Sequence, residues 1–282
     1  LASIITVSLS SARAKGRGEC RTLDKERLAQ TMKTILITGA AGDVGTHLRR
    51  ELAAQYRIRA SDLRPLKKVA QESFMRADIS KFADALKINI IGCYNVFEAA
   101  RRNGVKRILF PTSNHATGFY LRSQTIDHRV YIKPDSRYGV SKVFGEALGS
   151  LYADKYGMQV FCMRIGNVGP VPIDKRRLAI WFSPRDLAQL VTIGIEHPGI
   201  RFEIVYGISG NKRAWYDNSN ALRLGYRPQD DSETYAKEIL AREKPGGDPV
   251  AEAHQGGVFC VAEEIPNPAP LPRIRRRASR KR

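Results

Sequence analysis

Thr34-Ile-Leu-Ile-Thr38, a short β-branched and apolar run, passes directly into Gly39-Ala-Ala-Gly42-Asp-Val-Gly45, and no other stretch narrows the fold as far. A run of this kind reads as a strand buried on both faces of a parallel sheet. The three glycines have separate uses: a tight turn, close backbone approach to a pyrophosphate, and close packing of the next helix, whose N-terminus faces the phosphates. Thr46 to Gln55 reads as that helix, and Arg57-Ile-Arg-Ala-Ser-Asp62 as a second strand ending in an acid. The acid follows the loop by about 20 residues, the spacing of a dinucleotide-binding βαβ unit. Gly39, Gly42, Asp43, Val44 and Gly45 are therefore candidate phosphate-side residues. Asp62 is placed to accept hydrogen bonds from an adenosine ribose. Its charge would repel a 2′-phosphate, so the expected cofactor is NAD rather than NADP.

Phe74 to Asp78 reads as a third strand, with Asp78 at its carboxyl end on the adenine side. The pattern then breaks. A doubly wound sheet needs a further strand after the helical Ser80 to Leu86, yet Leu86-Lys-Ile-Asn89 leads at once into an apolar-periodic helix ending at Asn103-Gly104. An interior strand is missing from this part of the sequence. Val105 to Thr112 and Met158 to Arg164 read as later strands, Asp186 to His197 and Tyr235 to Arg242 as helices, and Ile200 to Val205 as a last strand.

Ligands in open α/β sheets bind beyond the carboxyl ends of the strands, which places Ser113 at the crevice. Tyr138 and Lys142 are four residues apart. On a helix they share a face, and an ammonium there draws a phenol from its ordinary pKa of about 10 toward working pH, making it a general base.

The chain has 282 residues, of which 47 are Lys or Arg and 28 Asp or Glu, for a formal net charge of +19. Much of that excess lies in tails. Pro270 to Arg282 carries seven basic residues, Arg273, Arg275, Arg276, Arg277, Arg280, Lys281 and Arg282, and no acid. No specific nucleic acid is expected as a partner, and no apolar run is long enough to span a bilayer. Cys20, Cys93, Cys162 and Cys260 are scattered without a CxxC pair. Neither a metal site nor a disulfide framework is expected, and the cytoplasm is the expected compartment. Met32-Lys33 reads as a natural start, with residues 1–32 an upstream or disordered tail. Residues 33–243 read as one NAD-binding domain with a small substrate part at about 165–230. Residues 244–282, rich in Gly, Pro and Ala without periodicity, read as a disordered basic tail.

The glycine-rich loop, Ser113, Tyr138-Gly-Val-Ser-Lys142 and Arg164-Ile-Gly-Asn-Val-Gly-Pro170 together resemble the extended branch of the short-chain dehydrogenase/reductase superfamily, a Rossmann-like doubly wound α/β fold. Asn89 to Ala100, Thr112-Ser-Asn-His115, Ile180-Trp-Phe-Ser183, Trp215 to Ser219 and Leu224 to Pro228 are similar to the NAD-dependent uronate dehydrogenases within it. The resemblance covers roughly Lys33 to Arg242. It implies oxidation of galacturonate or glucuronate at C1 to an aldarolactone. Tyr138 would be the base, Lys142 would tune it and hold the nicotinamide ribose, and Ser113 would orient the hydroxyl. Asn114 and His115 would contact the sugar and Arg176 its carboxylate, while Asn167 stands where the family more often has a serine. A homodimer or higher oligomer is implied by the superfamily alone.

The same family carries, in place of the missing strand, a strand and a Gly-rich loop with a substrate-contacting serine. Its loss is expected either to leave ladder groups of two neighbours unpaired or to move the Ser113 strand inward by about 4.8 Å. A shift of about 1 Å can cost 100-fold in rate, so the activity is expected to be impaired. Two further readings share the motifs: a nucleotide-sugar epimerase or dehydratase, and a catalytically inactive dinucleotide-binding protein.

Overall fold

In the computed structural model the described residues are 5–8, 32–62, 64–66, 72–76, 88–243 and 246–262. The founding unit is as the sequence reads it. Strand β2 (Thr34–Thr38) enters the glycine loop, helix α1 (Asp43–Leu52) follows, and β3 (Arg57–Asp62) pairs parallel with β2. β4 (Glu72–Arg76) extends the sheet beyond β3. On the other side lie β5 (Arg107–Ser113), β6 (Gln159–Ile165) and β9 (Phe202–Gly207), all parallel.

The gap in the strand pattern is closed from an unexpected direction. Ile5–Ser8, in the stretch read as a tail, forms β1 and pairs with both β2 and β5, antiparallel to each. The sheet order is β4-β3-β2-β1-β5-β6-β9, so the interior position is filled rather than lost. β5 consequently has not moved inward against β2, and the expected displacement of Ser113 does not occur. The remedy was hidden because Ile5-Thr-Val-Ser8 is separated by 25 residues from the strand that starts at Thr34 and points the wrong way for a βαβ unit.

Period-two alternation divides the core. Ile35, Ile37, Leu109, Phe161 and Met163 face one side with α1 and α5 (Pro184–Glu196). Ile108, Phe110, Val160 and Cys162 face the other, against α2 (Cys93–Arg102) and α3 (Arg137–Tyr156). α2 is entered through a π turn at Ile88–Gly92 and ends at Asn103, with Gly104 at φ 69°, the left-handed stop that Asn-Gly announces. Short elements between and beyond these build the substrate side: β7 (Asn167–Val168), α4 (Arg177–Ile180), β8 (Trp181–Phe182), α6 (Ser219–Arg223) and α7 (Ala236–Ala241).

The boundary at residue 244 is corrected. Asp248 accepts from the N–H groups of Val250 and Ala251 and, with Pro249 next, starts α8 (Pro249–Ala253), followed by a 3₁₀ turn at Gly257–Cys260. Arg122 ties this segment down, donating to the backbone oxygens of Ala251 and His254 and pairing with Glu252 at 2.9 Å. Gln255 is fully buried. Basic residues 273–282 lie outside the described residues. Among the described residues no helix is long and apolar enough to cross a membrane.

Candidate active site

The ends of β2 and β5, which flank β1, and one helix make the site. At the end of β2, Gly39 has φ 62° and accepts from Gly42 N–H at 3.0 Å. A Cβ on Gly45 would stand 2.5 Å from Gly39 O, so α1 can begin this close to the strand only without a side chain there. The loop is bare backbone at a helix N-terminus, which fits a pyrophosphate. Asp62, buried at the end of β3, accepts from the N–H groups of Ala41 and Arg64, both at 2.9 Å. A carboxylate offers more acceptor positions than these two bonds use, leaving capacity for ribose hydroxyls. Arg64 lies over this acid and donates to Ala41 O at 2.7 Å, while Arg59 is on the exposed face of β3. Asp78 lies outside the described residues.

At the end of β5, Ser113 caps the 3₁₀ turn Asn114–Thr117, its oxygen accepting from His115 N–H at 3.2 Å. Opposite, Ser136 caps α3 by accepting from Gly139 N–H at 3.0 Å, which starts the helix so that Tyr138 sits in its first turn. A Cβ on Gly139 would run into His115 O, so glycine lets the helix start lie against the Ser113 turn. Lys142 is 2% exposed and donates to Pro111 O at 2.7 Å, with its ammonium nitrogen 5.4 Å from the Tyr138 ring centre. Ser141 donates to Tyr138 O at 2.7 Å and accepts from the Asn89 amide at 3.1 Å, fixing the same turn from the α2 side.

A cavity of about 480 Å³ joins these parts, lined by Asp43 and Val44 of the cofactor loop and by Ser113, His115, Tyr138 and Lys142. Asn114 and Arg176 line it too. With its amide oriented to satisfy both ends, Asn114 donates to Ile165 O at 3.1 Å and accepts from Arg176 Nη2 at 3.0 Å. Arg176 Nε donates to Gln255 O at 2.8 Å. Burial pulls the Arg176 pKa below its ordinary value, the mark of a guanidinium short of solvent and suited to an anion. Arg177 also lines the cavity but is paired with Asp174. The cavity therefore gathers every substrate-side residue the sequence singled out, and Asn167 lines it as well.

Sequence reasoning missed Phe259 and Asp135. The Phe259 ring lies on His115 at 4.0 Å between centres and lines the cavity, although it belongs to the stretch read as disordered. The helix-start pair Asp248-Pro249 was the available signal. Asp135 is fully buried at its side chain, 2.6 Å from His115 Nδ1. Its position three residues before Tyr138 gave no sign of that contact.

Beneath the site, Glu146 of α3 accepts from Thr112 Oγ1 at 2.8 Å and pairs with Arg164 of β6 through Nε and Nη2. Burial alone would lower the Arg164 pKa, but the hydrogen bonds and charge of Glu146 hold it above its ordinary value. This buried pair links the Tyr138 helix to both strands that frame the cavity.

Residues 66–183 match the model of the NAD dependent epimerase/dehydratase family. The uronate dehydrogenase of Pseudomonas putida is 38% identical over 81% of this chain and 96% of its own length. The crystal structure of uronate dehydrogenase from Agrobacterium tumefaciens is 35% identical, with a TM-score of 0.76, covering 81% of this chain and 97% of that one. A mutant of the Agrobacterium enzyme complexed with NAD is similar over the same share of this chain, with a TM-score of 0.76 at 34% identity.

Proposed function

We infer, from a chain that belongs to the NAD-dependent epimerase/dehydratase family with uronate dehydrogenases as its relatives, that it is an NAD-dependent oxidoreductase oxidising a hexuronate. The observation that carries the reading to the residues is the single cavity holding Ser113, Tyr138 and Lys142 beside Asn114, His115 and Arg176. Gly39, Gly42, Asp43, Val44 and Gly45 would hold the pyrophosphate and Asp62 the ribose. A bound NAD would supply the hydride acceptor for oxidation of galacturonate or glucuronate at C1, the product being an aldarolactone.

Tyr138 takes the proton of the C1 hydroxyl. Lys142, anchored at Pro111 O with its nitrogen 5.4 Å from the Tyr138 ring centre, would hold the nicotinamide ribose. The oxygen of Ser113 is already held by His115 N–H, which leaves its proton free to orient the same hydroxyl. Arg176 meets the C6 carboxylate with a guanidinium fixed by Asn114 and Gln255, a planar donor set suited to a carboxylate.

The domain reading becomes one cofactor-binding unit over residues 33–243 completed by the strand Ile5–Ser8, with its substrate part extended by Gly246 to Ala262. A homodimer formed through α2 and α3 is supported by the exposed apolar Tyr94, Val140 and Leu151 on those helices. The free thiols Cys93, Cys162 and Cys260 support a reducing, cytoplasmic setting.

The test is NADH formation from NAD and galacturonate by the purified chain, against Tyr138→Phe. Turnover is expected from the first and lost in the second, with NAD affinity unchanged. An epimerase would give no net NADH, and a non-catalytic binder would give NAD binding alone; either result overturns the reading.

A further inference from the structure

His115 is held by more than the cavity needs. Its ring is nearly buried between Tyr138, edge-on at 5.9 Å, and Phe259, tilted at 4.0 Å. Its Nδ1 faces Asp135 Oδ2 at 2.6 Å, and the other oxygen, Oδ1, accepts from Ser136 Oγ at 2.8 Å. Two loops close around this carboxylate. A Cβ on Gly118 or on Gly256 would collide with Asp135 Oδ2, so both loops bring bare backbone against it. Gly256 N–H in turn donates to Gly118 O at 2.8 Å, and Asp135 N–H to His115 O at 3.3 Å.

An ionised carboxylate only accepts hydrogen bonds. The nitrogen facing it must therefore carry the proton, and the tautomer of a histidine follows from the partner of its other nitrogen. That leaves Nε2, on a ring that lines the cavity, as the nitrogen available to a ligand.

We propose that Asp135 is a positioning residue: it holds His115 in the Nδ1–H form, so that Nε2 meets the uronate as an acceptor for a sugar hydroxyl. The proposal rests on the uronate reading for its substrate, but the tautomer does not depend on it. Through Ser136, which both donates to Asp135 and caps α3, the same dipeptide sets the orientation of His115 and the start of the helix bearing Tyr138. The position of the sugar and that of its base are thus fixed from one point.

Asp135→Asn tests this with little change of shape. An amide nitrogen in place of Oδ2 donates to Nδ1 and drives the ring to the Nε2–H form, so the substrate hydroxyl must give up donating to Nε2 and turn to accept from it. In ¹H–¹⁵N spectra of the full chain, with the His115 signal assigned from His115→Gln, the native ring is expected as Nδ1–H and the Asp135→Asn ring as Nε2–H. The KM for galacturonate is expected to rise by about ten- to a hundredfold, the cost of facing a polar group with the wrong partner, while the Kd for NAD stays the same. Adding Asp135→Asn to His115→Gln is expected to cost nothing more, because the residue it positions is gone. An unchanged tautomer in Asp135→Asn, or a double variant showing the product of two separate losses, overturns the proposal in favour of a packing role. Absence of uronate turnover in the unsubstituted chain would sink the uronate reading instead, and the tautomer spectra would still decide the coupling.

Discussion

Thr6→Pro addresses the strand that completes the sheet. β1 has four residues, each carrying one N–H and one C=O, and it lies between β2 and β5 with Thr6 opposite Leu36 on one side and Ile108 on the other. At about 1 kcal/mol net per hydrogen bond, the whole strand contributes up to about 8 kcal/mol, within the range of a typical domain's entire stability of about 5–15 kcal/mol. Proline at position 6 removes one donor and orphans the carbonyl it served. A lost bond of about 1 kcal/mol and an unsatisfied buried acceptor of about 1–3 kcal/mol give a destabilisation of about 2–4 kcal/mol. For a domain of this size that is a fall in Tm of roughly 5–15 °C. Thr6→Val, which keeps the ladder and suits a strand, serves as the control, and both are read by thermal unfolding and by NAD titration. A chain starting at Met32 loses the whole contribution and is expected to give no cooperative transition. If Thr6→Pro melts within 1 °C of Thr6→Val and the chain from Met32 still binds NAD, β1 does not hold the sheet together and the argument fails.

Gly45→Ala forces a Cβ to 2.5 Å from Gly39 O and is expected to weaken NAD binding at least tenfold in a fluorescence titration, with the fold retained by circular dichroism. Arg164→Met strands Glu146 without its buried partner and is expected to cost about 3–5 kcal/mol in urea unfolding, much of it recovered by pairing it with Glu146→Leu. Burial would raise the Asp230 pKa, but the Ser183 hydroxyl and the Arg185 guanidinium hold it below its ordinary value. Because its folded pKa is depressed, the stability Asp230 contributes is complete above the unfolded value of about 3.9 and is lost as pH falls through the folded one. Asp230→Asn is therefore expected to lower Tm at pH 7 and to narrow its gap to the parent below pH 4.

What could be read from the sequence followed locality. Thr34–Thr38 with its glycine loop, Asn103-Gly104 at the end of α2, and the Tyr138/Lys142 face of α3 each depend on residues within a few positions of one another, and each stands where it was expected. Ser113, Asn114, His115 and Arg176 were legible because the carboxyl edge of a parallel sheet and a family pattern located them, and one cavity contains them all. The failures were of two kinds. Phe259 and Gln255 reach the site from a segment without periodicity, held by the Arg122 side chain and by backbone bonds such as Gln255 N–H to Tyr120 O at 2.9 Å, which leave no mark on hydrophobic spacing. β1 was passed over because a four-residue run of Ile, Thr, Val and Ser is too short to stand out, and its role depends on a vacancy about a hundred residues away.

The direction of β1 separates two functions that a parallel strand in that position would combine. As a spacer it serves equally well in either direction: β2 and β5 stay two interstrand steps apart, about 9.6 Å. The glycine loop on one and Ser113 on the other therefore face a common cavity, with Asp43 and Val44 lining it together with Tyr138. As a source of a binding loop it differs, because an antiparallel strand presents its first residue, Ile5, at that edge, opposite Ile37 and Leu109, and among the described residues no strand-to-helix turn leaves there. The Gly-rich loop and serine that the family resemblance leads one to expect at that edge are thus not supplied by β1. The ends of β2 and β5 keep their spacing, while among the described residues β1 itself brings no loop to that edge. The deficit should fall on how tightly cofactor and sugar are held, rather than on the alignment of Ser113, Tyr138 and Lys142.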